Sequence, residues 1–70
     1  MYYQRIILYG SPTARETATS ILQNLGTVKR EVHVHNGCEV RLMLDTPLKE
    51  TNLISLLRPS GIHGFRLAEY

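Results

Sequence analysis

Two histidines and the only cysteine of this chain fall in the short run His33-Val34-His35-Asn36-Gly37-Cys38. Neutral imidazole and thiolate are the donors that borderline divalent metals such as nickel, copper and zinc prefer. His33 and His35 stand two residues apart, on one face of any strand that carries them, with Cα atoms about 7 Å apart and able to converge on one ion. Ordinary structural roles compete with this chemistry, because histidine suits solvated strand positions and cysteine packs as a small hydrophobe. One cysteine forms no disulfide within the chain, so Cys38 is a core residue, a reactive thiol, a metal ligand or an intermolecular link. The third histidine, His63, opens the last strand and reads as structural, with support of a metal ligand as its alternative.

The element that must position these donors is a β-hairpin. Asn36-Gly37 between alternating apolar residues is a strong hairpin signal, since both residues tolerate positive φ. From Thr27 to His35 the period is two, with Val28, Val32 and Val34 on one face and Lys29, Glu31, His33 and His35 on the other. The return strand, Cys38 to Asp45, sets Val40, Leu42 and Leu44 against Glu39, Arg41 and Met43. A two-residue Asn36-Gly37 loop would pair His35 with Cys38 and His33 with Val40, turning the histidines onto the apolar face. A loop of His35, Asn36 and Gly37, with Gly37 left-handed in a bulge, pairs Val34 with Cys38 and Val32 with Val40 instead. It sends all these valines and leucines to one core and is the expected register. Its consequence is that His33 projects away from Cys38 unless the bulge turns one of them.

The remaining elements follow from periodicity and caps. Tyr2 to Tyr9, with the run Ile6-Ile7-Leu8, reads as a central strand. Ser11-Pro12-Thr13 opens a helix that runs to about Gly26, with Ala14, Ala18, Ile21, Leu22 and Leu25 on its apolar stripe. Thr46-Pro47 opens a second helix with Leu48, Leu53, Ile54, Leu56 and Leu57, ending at Arg58-Pro59-Ser60-Gly61. Ile62 to Ala68 is the last strand. The order β-α-β-β-α-β over residues 1–70 predicts one α+β domain of ferredoxin-like type, a four-stranded antiparallel sheet with two helices on one face. The opposite face would collect Tyr3, Arg5, Ile7, Tyr9, Glu31, His33, Glu39, Arg41, Met43 and Arg66. That face calls for a cover, either a second copy or, with tyrosines stacking on bases, a nucleic acid.

The stretches His33-Val34-His35, Cys38-Glu39-Val40 and Gly61-Ile62-His63-Gly64-Phe65-Arg66-Leu67 resemble the ACT-like, ferredoxin-like C-terminal metal-binding domain of nickel-responsive transcriptional repressors, here as a stand-alone domain. The resemblance spans nearly the whole chain. It implies that His33, His35 and Cys38 ligate nickel, or copper or zinc, and that the domain assembles through its sheet face or edge strands. The family's fourth ligand, a histidine after the first helix, has no counterpart in Leu25-Gly26-Thr27, which implies three ligands and an open position. A DNA-binding or regulatory partner protein is a further implication.

Composition sets the outer bounds. With 43% hydrophobic and 20% charged residues the chain has the make-up of an ordinary globular domain, and at 70 residues its stability margin is small enough that oligomerisation would help it. No apolar run approaches the roughly 20 residues that span a bilayer and no signal-peptide pattern opens the chain, so no membrane contact and a cytoplasmic location are expected. A formal charge of +2 permits an anionic partner without requiring one. The first loop, Gly10 to Ala14, holds no thiol of a Cys-x-x-Cys metal chaperone and is too short and stiff for a phosphate loop. Asp45, Glu50 and Glu69 are scattered and no Ser-His-Asp set is visible, so binding rather than catalysis is expected. The binding alternatives are a metal-regulated domain, a metal-free oligomerisation or protein-interaction module, and a nucleic-acid platform on the bare sheet face.

Overall fold

β1 (Tyr2–Tyr9) lies inside a four-stranded sheet, because its run of Ile6, Ile7 and Leu8 requires neighbours on both edges. A computed structural model describes residues 2–35 and 37–69. After β1 come α1 (Pro12–Gln23), β2 (Thr27–Val34), β3 (Gly37–Leu44), α2 (Glu50–Leu57), a short 3-10 turn at Arg58–Ser60 and β4 (Gly64–Glu69). The fold is α+β, the strand order is β2-β3-β1-β4 and every pairing is antiparallel. β2 and β4 are therefore the sheet edges.

Alternation along β1 and β3 decides which side chains meet the helices. Gln4, Ile6 and Leu8 pair with Leu42, Val40 and Cys38, and these residues are buried. Ile6, Leu8, Cys38, Val40 and Leu42 join Ala18 and Leu22 of α1 and Leu53 and Leu57 of α2 in one core cluster, with Phe65 and Leu67 of β4 packed against it. α1 begins as its residues dictate: the Ser11 Oγ accepts from the Ala14 N–H at 3.2 Å and Pro12 fills the first turn, where no donor is lost. It ends at Gln23 with Asn24 as its C-cap, before the expected Gly26. The 3-10 turn closes on Gly61 at φ 81°, a left-handed position that glycine adopts without steric cost.

α2 begins at Glu50 with Lys49 as N-cap, not at Thr46-Pro47. The reason lies in β1. Gln4 is 2% exposed, and its amide engages the Leu48 backbone twice: Nε2 donates to the Leu48 carbonyl at 3.1 Å and Oε1 accepts from the Leu48 N–H at 2.9 Å. A backbone clasped in this way to a strand is held extended beside it. β4 likewise starts two residues after the expected Ile62, and the His63 N–H donates to the Tyr9 carbonyl at 2.7 Å to lead the chain in.

The hairpin register differs from both loops that the sequence offers. Val34 pairs with Gly37, His33 with Cys38, Val32 with Glu39 and Glu31 with Val40. Gly37 is the first residue of β3 and is not among the positive-φ glycines, so the left-handed bulge expected there is absent. Asn36, the centre of the expected turn, lies outside the described residues. The irregularity sits instead between Val28 and Arg30, where Lys29 is the extra residue of a β-bulge. Val28 packs on the core, and beyond the bulge the alternation inverts: Arg30, Val32 and Val34 join the open face, while Glu31 and His33 turn to the core side. Gly37 explains why this register wins. A Cβ at residue 37 would lie 2.7 Å from the Leu8 carbonyl, 3.2 Å from the Tyr9 ring and 3.3 Å from Val34, so that position on the open face must be glycine.

Two substitutions test these constraints by urea unfolding. Gln4→Ala should cost about 2 kcal/mol, since it strands two backbone groups of Leu48. Gly37→Ala should cost about 1–3 kcal/mol, because the Leu8 carbonyl cannot yield without moving β1. An unchanged midpoint for either would remove the constraint assigned to it.

Candidate functional site

The bulge brings together what the expected register kept apart. His33 and Cys38 are direct cross-strand partners, so their side chains leave the sheet on the same side with Cβ atoms about 4.5–5.5 Å apart. His33 is exposed and Cys38 is only 6% exposed, which places the imidazole at the rim and the thiol at the floor of a groove between α1 and the hairpin. The groove encloses about 380 Å³ and its α1 wall carries Arg15, Glu16 and Thr19. Glu31 stands on the strand wall, two residues before His33.

Arg15 ties the two walls together. Its Nη1 donates to the Gly37 carbonyl at 2.7 Å, across from the helix to the first residue of β3, while its Nε is buried without an acceptor among the described residues. The backbone carbonyl of Arg15 in turn accepts from the Thr19 hydroxyl at 2.9 Å, which turns Thr19 back onto its own helix. Burial pushes the Cys38 thiol up, the negative charge of Glu31 adds to the rise, and the guanidinium of Arg15 pulls against both. At neutral pH Cys38 is therefore a protonated thiol, poorly suited to nucleophilic attack.

His35 follows β2 into the turn and is exposed. The strand has ended there, so alternation no longer guarantees it the side that His33 shares with Cys38. Among the described residues no three histidine, cysteine, aspartate or glutamate side chains come together as a metal-holding group. His63 precedes the opposite edge strand and borders a separate groove with Ile54, Leu57 and Phe65, so it does not support His33. Arg15 and Glu31 were not singled out for the groove by the sequence. Arg15 did have a signal, since it shares the helical stripe of Thr19 and Leu22 at four- and seven-residue spacing.

The open face of the sheet is the second candidate. Arg30, Arg41 and Arg5 are aligned partners across β2, β3 and β1, and Arg66 of β4 sits opposite Ile7 one row on. Glu39 lies among them, 8% exposed, with its Oε2 accepting from the Arg41 Nε at 3.0 Å and its Oε1 3.6 Å from the Arg5 Nη1. Tyr3, Ile7, Tyr9 and Met43 share this face as expected; Glu31 and His33 do not, and Arg30, Val32 and Val34 replace them. No helix is long and apolar enough to cross a membrane.

The raised thiol has a stability consequence with a definite sign. A thiol whose folded pKa exceeds its unfolded one contributes fully below the unfolded pKa and loses that contribution as pH rises through the folded one. Cys38→Ala should therefore lose less stability than the parent between neutral and strongly alkaline solution, read as the difference between their urea midpoints at each pH. Equal alkaline losses would show that the thiol is not shielded as described. Comparison of the chain with protein-family profiles, curated proteins and solved structures finds no match, so the geometry alone carries the functional conclusion.

Proposed function

We propose that the chain is a ferredoxin-like module, with both helices on one side of its sheet, that works by binding rather than catalysis and holds a transition metal at the β2–β3 hairpin. The observation that supports this is the pairing of His33 with Cys38 on one side of the sheet. An imidazole and a thiol on adjacent strands are two correctly typed donors at a spacing one ion can bridge. Nickel, copper and zinc all accept that pair, and copper binds most strongly where all are free. His35 is the third ligand in this proposal, reached by rotation of the turn.

Two or three donors from one chain leave the ion short of four. β2 is an edge strand, so a second copy paired along it would bring another His33 to the same edge, with Cys38 one strand further in on β3. The proposed assembly is therefore a homo-oligomer whose stability rises with the metal. A metal-free interaction module is the competing reading, and the burial of Cys38 favours it, because a shielded thiol resists the deprotonation that ligation requires.

Native mass spectrometry with and without chelator, together with calorimetric titration of nickel, copper and zinc, separates the two. Expected are a metal-dependent oligomer, an affinity lowered at least tenfold by His33→Ala or Cys38→Ser, and a smaller loss for His35→Ala. Affinity should rise with pH, because the metal must displace the proton of the Cys38 thiol, which burial holds in place. An oligomer indifferent to chelator, with no heat of metal binding, would assign the interaction module instead.

A further inference from the structure

The open face of the sheet carries a charge pattern that the hairpin does not use. Arg30, Arg41 and Arg5 form a straight row across three adjacent strands, and Arg66 extends it toward β4. Arg30 and Arg66 are exposed. Against these four guanidinium groups the face sets one carboxylate, Glu39, a net of +3 among the described side chains. Glu39 is held by Arg41 and Arg5 of its own sheet, so it is engaged at home and does not answer a cation from outside. Tyr3, half exposed, and Tyr9 stand on β1 to either side of this band, about 20 Å apart along the strand.

We propose that this face binds single-stranded nucleic acid, with the arginine band on the phosphates and Tyr3 and Tyr9 stacked on bases. Charge complementarity selects a polyanion. A second copy laid face to face would bring two surfaces of net +3 to about 10 Å, a separation close to the Debye length of about 8 Å at physiological salt, with each Glu39 already paired. The aromatic rings select the kind of polyanion: a ring offers a base a stacking surface, which an acidic peptide or a lipid headgroup does not use. Sheet width suits a single strand, whose bases are free to splay across the strands, better than a duplex whose bases are stacked inward.

Fluorescence anisotropy of a labelled mixed-sequence DNA 12-mer, titrated with the full chain, tests this. With about three phosphates neutralised, log affinity should fall with log salt at a slope near −2, an approximately 20-fold loss between 50 and 200 mM. Arg30→Ala and Arg66→Ala should each weaken binding several-fold and flatten the slope by about 0.7, while Arg66→Lys restores it. Glu39→Gln should do the opposite, tightening binding and steepening the slope, an outcome that loss of folding cannot imitate. Tyr3→Leu should weaken binding about tenfold at an unchanged slope. Thermal unfolding of each variant confirms that it is folded. Equal affinity for polyglutamate or for anionic lipid vesicles would overturn the assignment to nucleic acid. A dimer that buries Tyr3 and Arg66 and binds no oligonucleotide would overturn it in favour of a second copy.

Discussion

One extra residue in an edge strand decides what each face of this protein can do. Without the bulge at Lys29, Val28, Val32 and Val34 would share a face and Arg30 would lie with the core. With it, Val28 keeps its place on the core while the rest of β2 is turned over. Edge strands tolerate this because only one side of their hydrogen-bond ladder is interrupted. The turn at the other end is constrained by Gly37, which must lie between Tyr9 and Val34, where no Cβ fits beneath the Leu8 carbonyl. Register at the hairpin tip and register at the start of β2 differ by one residue, and the bulge absorbs the difference.

The core itself is small, and polar contacts do part of the positioning that a larger core would do by packing. Gln4 occupies an inward position of β1 that period-two logic assigns to an apolar residue. Its amide spends both hydrogen-bonding ends on Leu48, satisfying a loop backbone that would otherwise be unpaired beside the core. Arg15 does the same at the opposite end of the sheet, joining α1 to the carbonyl of Gly37. The groove over Cys38 therefore lies next to a fixed contact, because one of its walls is tied to the strand that forms its floor.

Most of the fold was legible from periodicity and caps, and the failures share a cause. Strand and helix order, the central place of β1 and the Ser11 cap all follow from local patterns, since each is decided within a few residues. The start of α2 was misplaced because Thr46-Pro47 is a good local cap, yet its neighbour Leu48 answers to a glutamine 44 positions away. The hairpin register failed for a similar reason. Val28, Val32 and Val34 of β2 look like one alternation, and only the contact of Gly37 with Leu8 and Tyr9 of β1, far upstream in the chain, shows that they are two. Of the candidate metal residues, His33 and Cys38 prove closer than sequence reasoning allowed, and His35 is left to the turn. The arginine row was half visible: Arg5, Arg41 and Arg66 fell on the open face from the start, but Arg30 looked like a defect in an apolar stripe until the bulge gave it a row.

Alternation along β3 keeps the two candidate surfaces chemically separate while holding them at a fixed distance. Cys38 and Glu39 are consecutive residues, one facing the groove and the other the arginine band. Their backbones lie in a ladder bonded on both sides, since β3 is flanked by β1 and β2. Substitution of a side chain on one side changes the charge or donor chemistry there without altering the residues exposed on the other. Displacement of the β3 backbone is different, because it would move the thiol and the carboxylate together. Arg15 holds that backbone at Gly37, one residue before Cys38. The guanidinium that lowers the proton affinity of the thiol is thus also the group that fixes the start of the strand carrying Glu39 to the arginines.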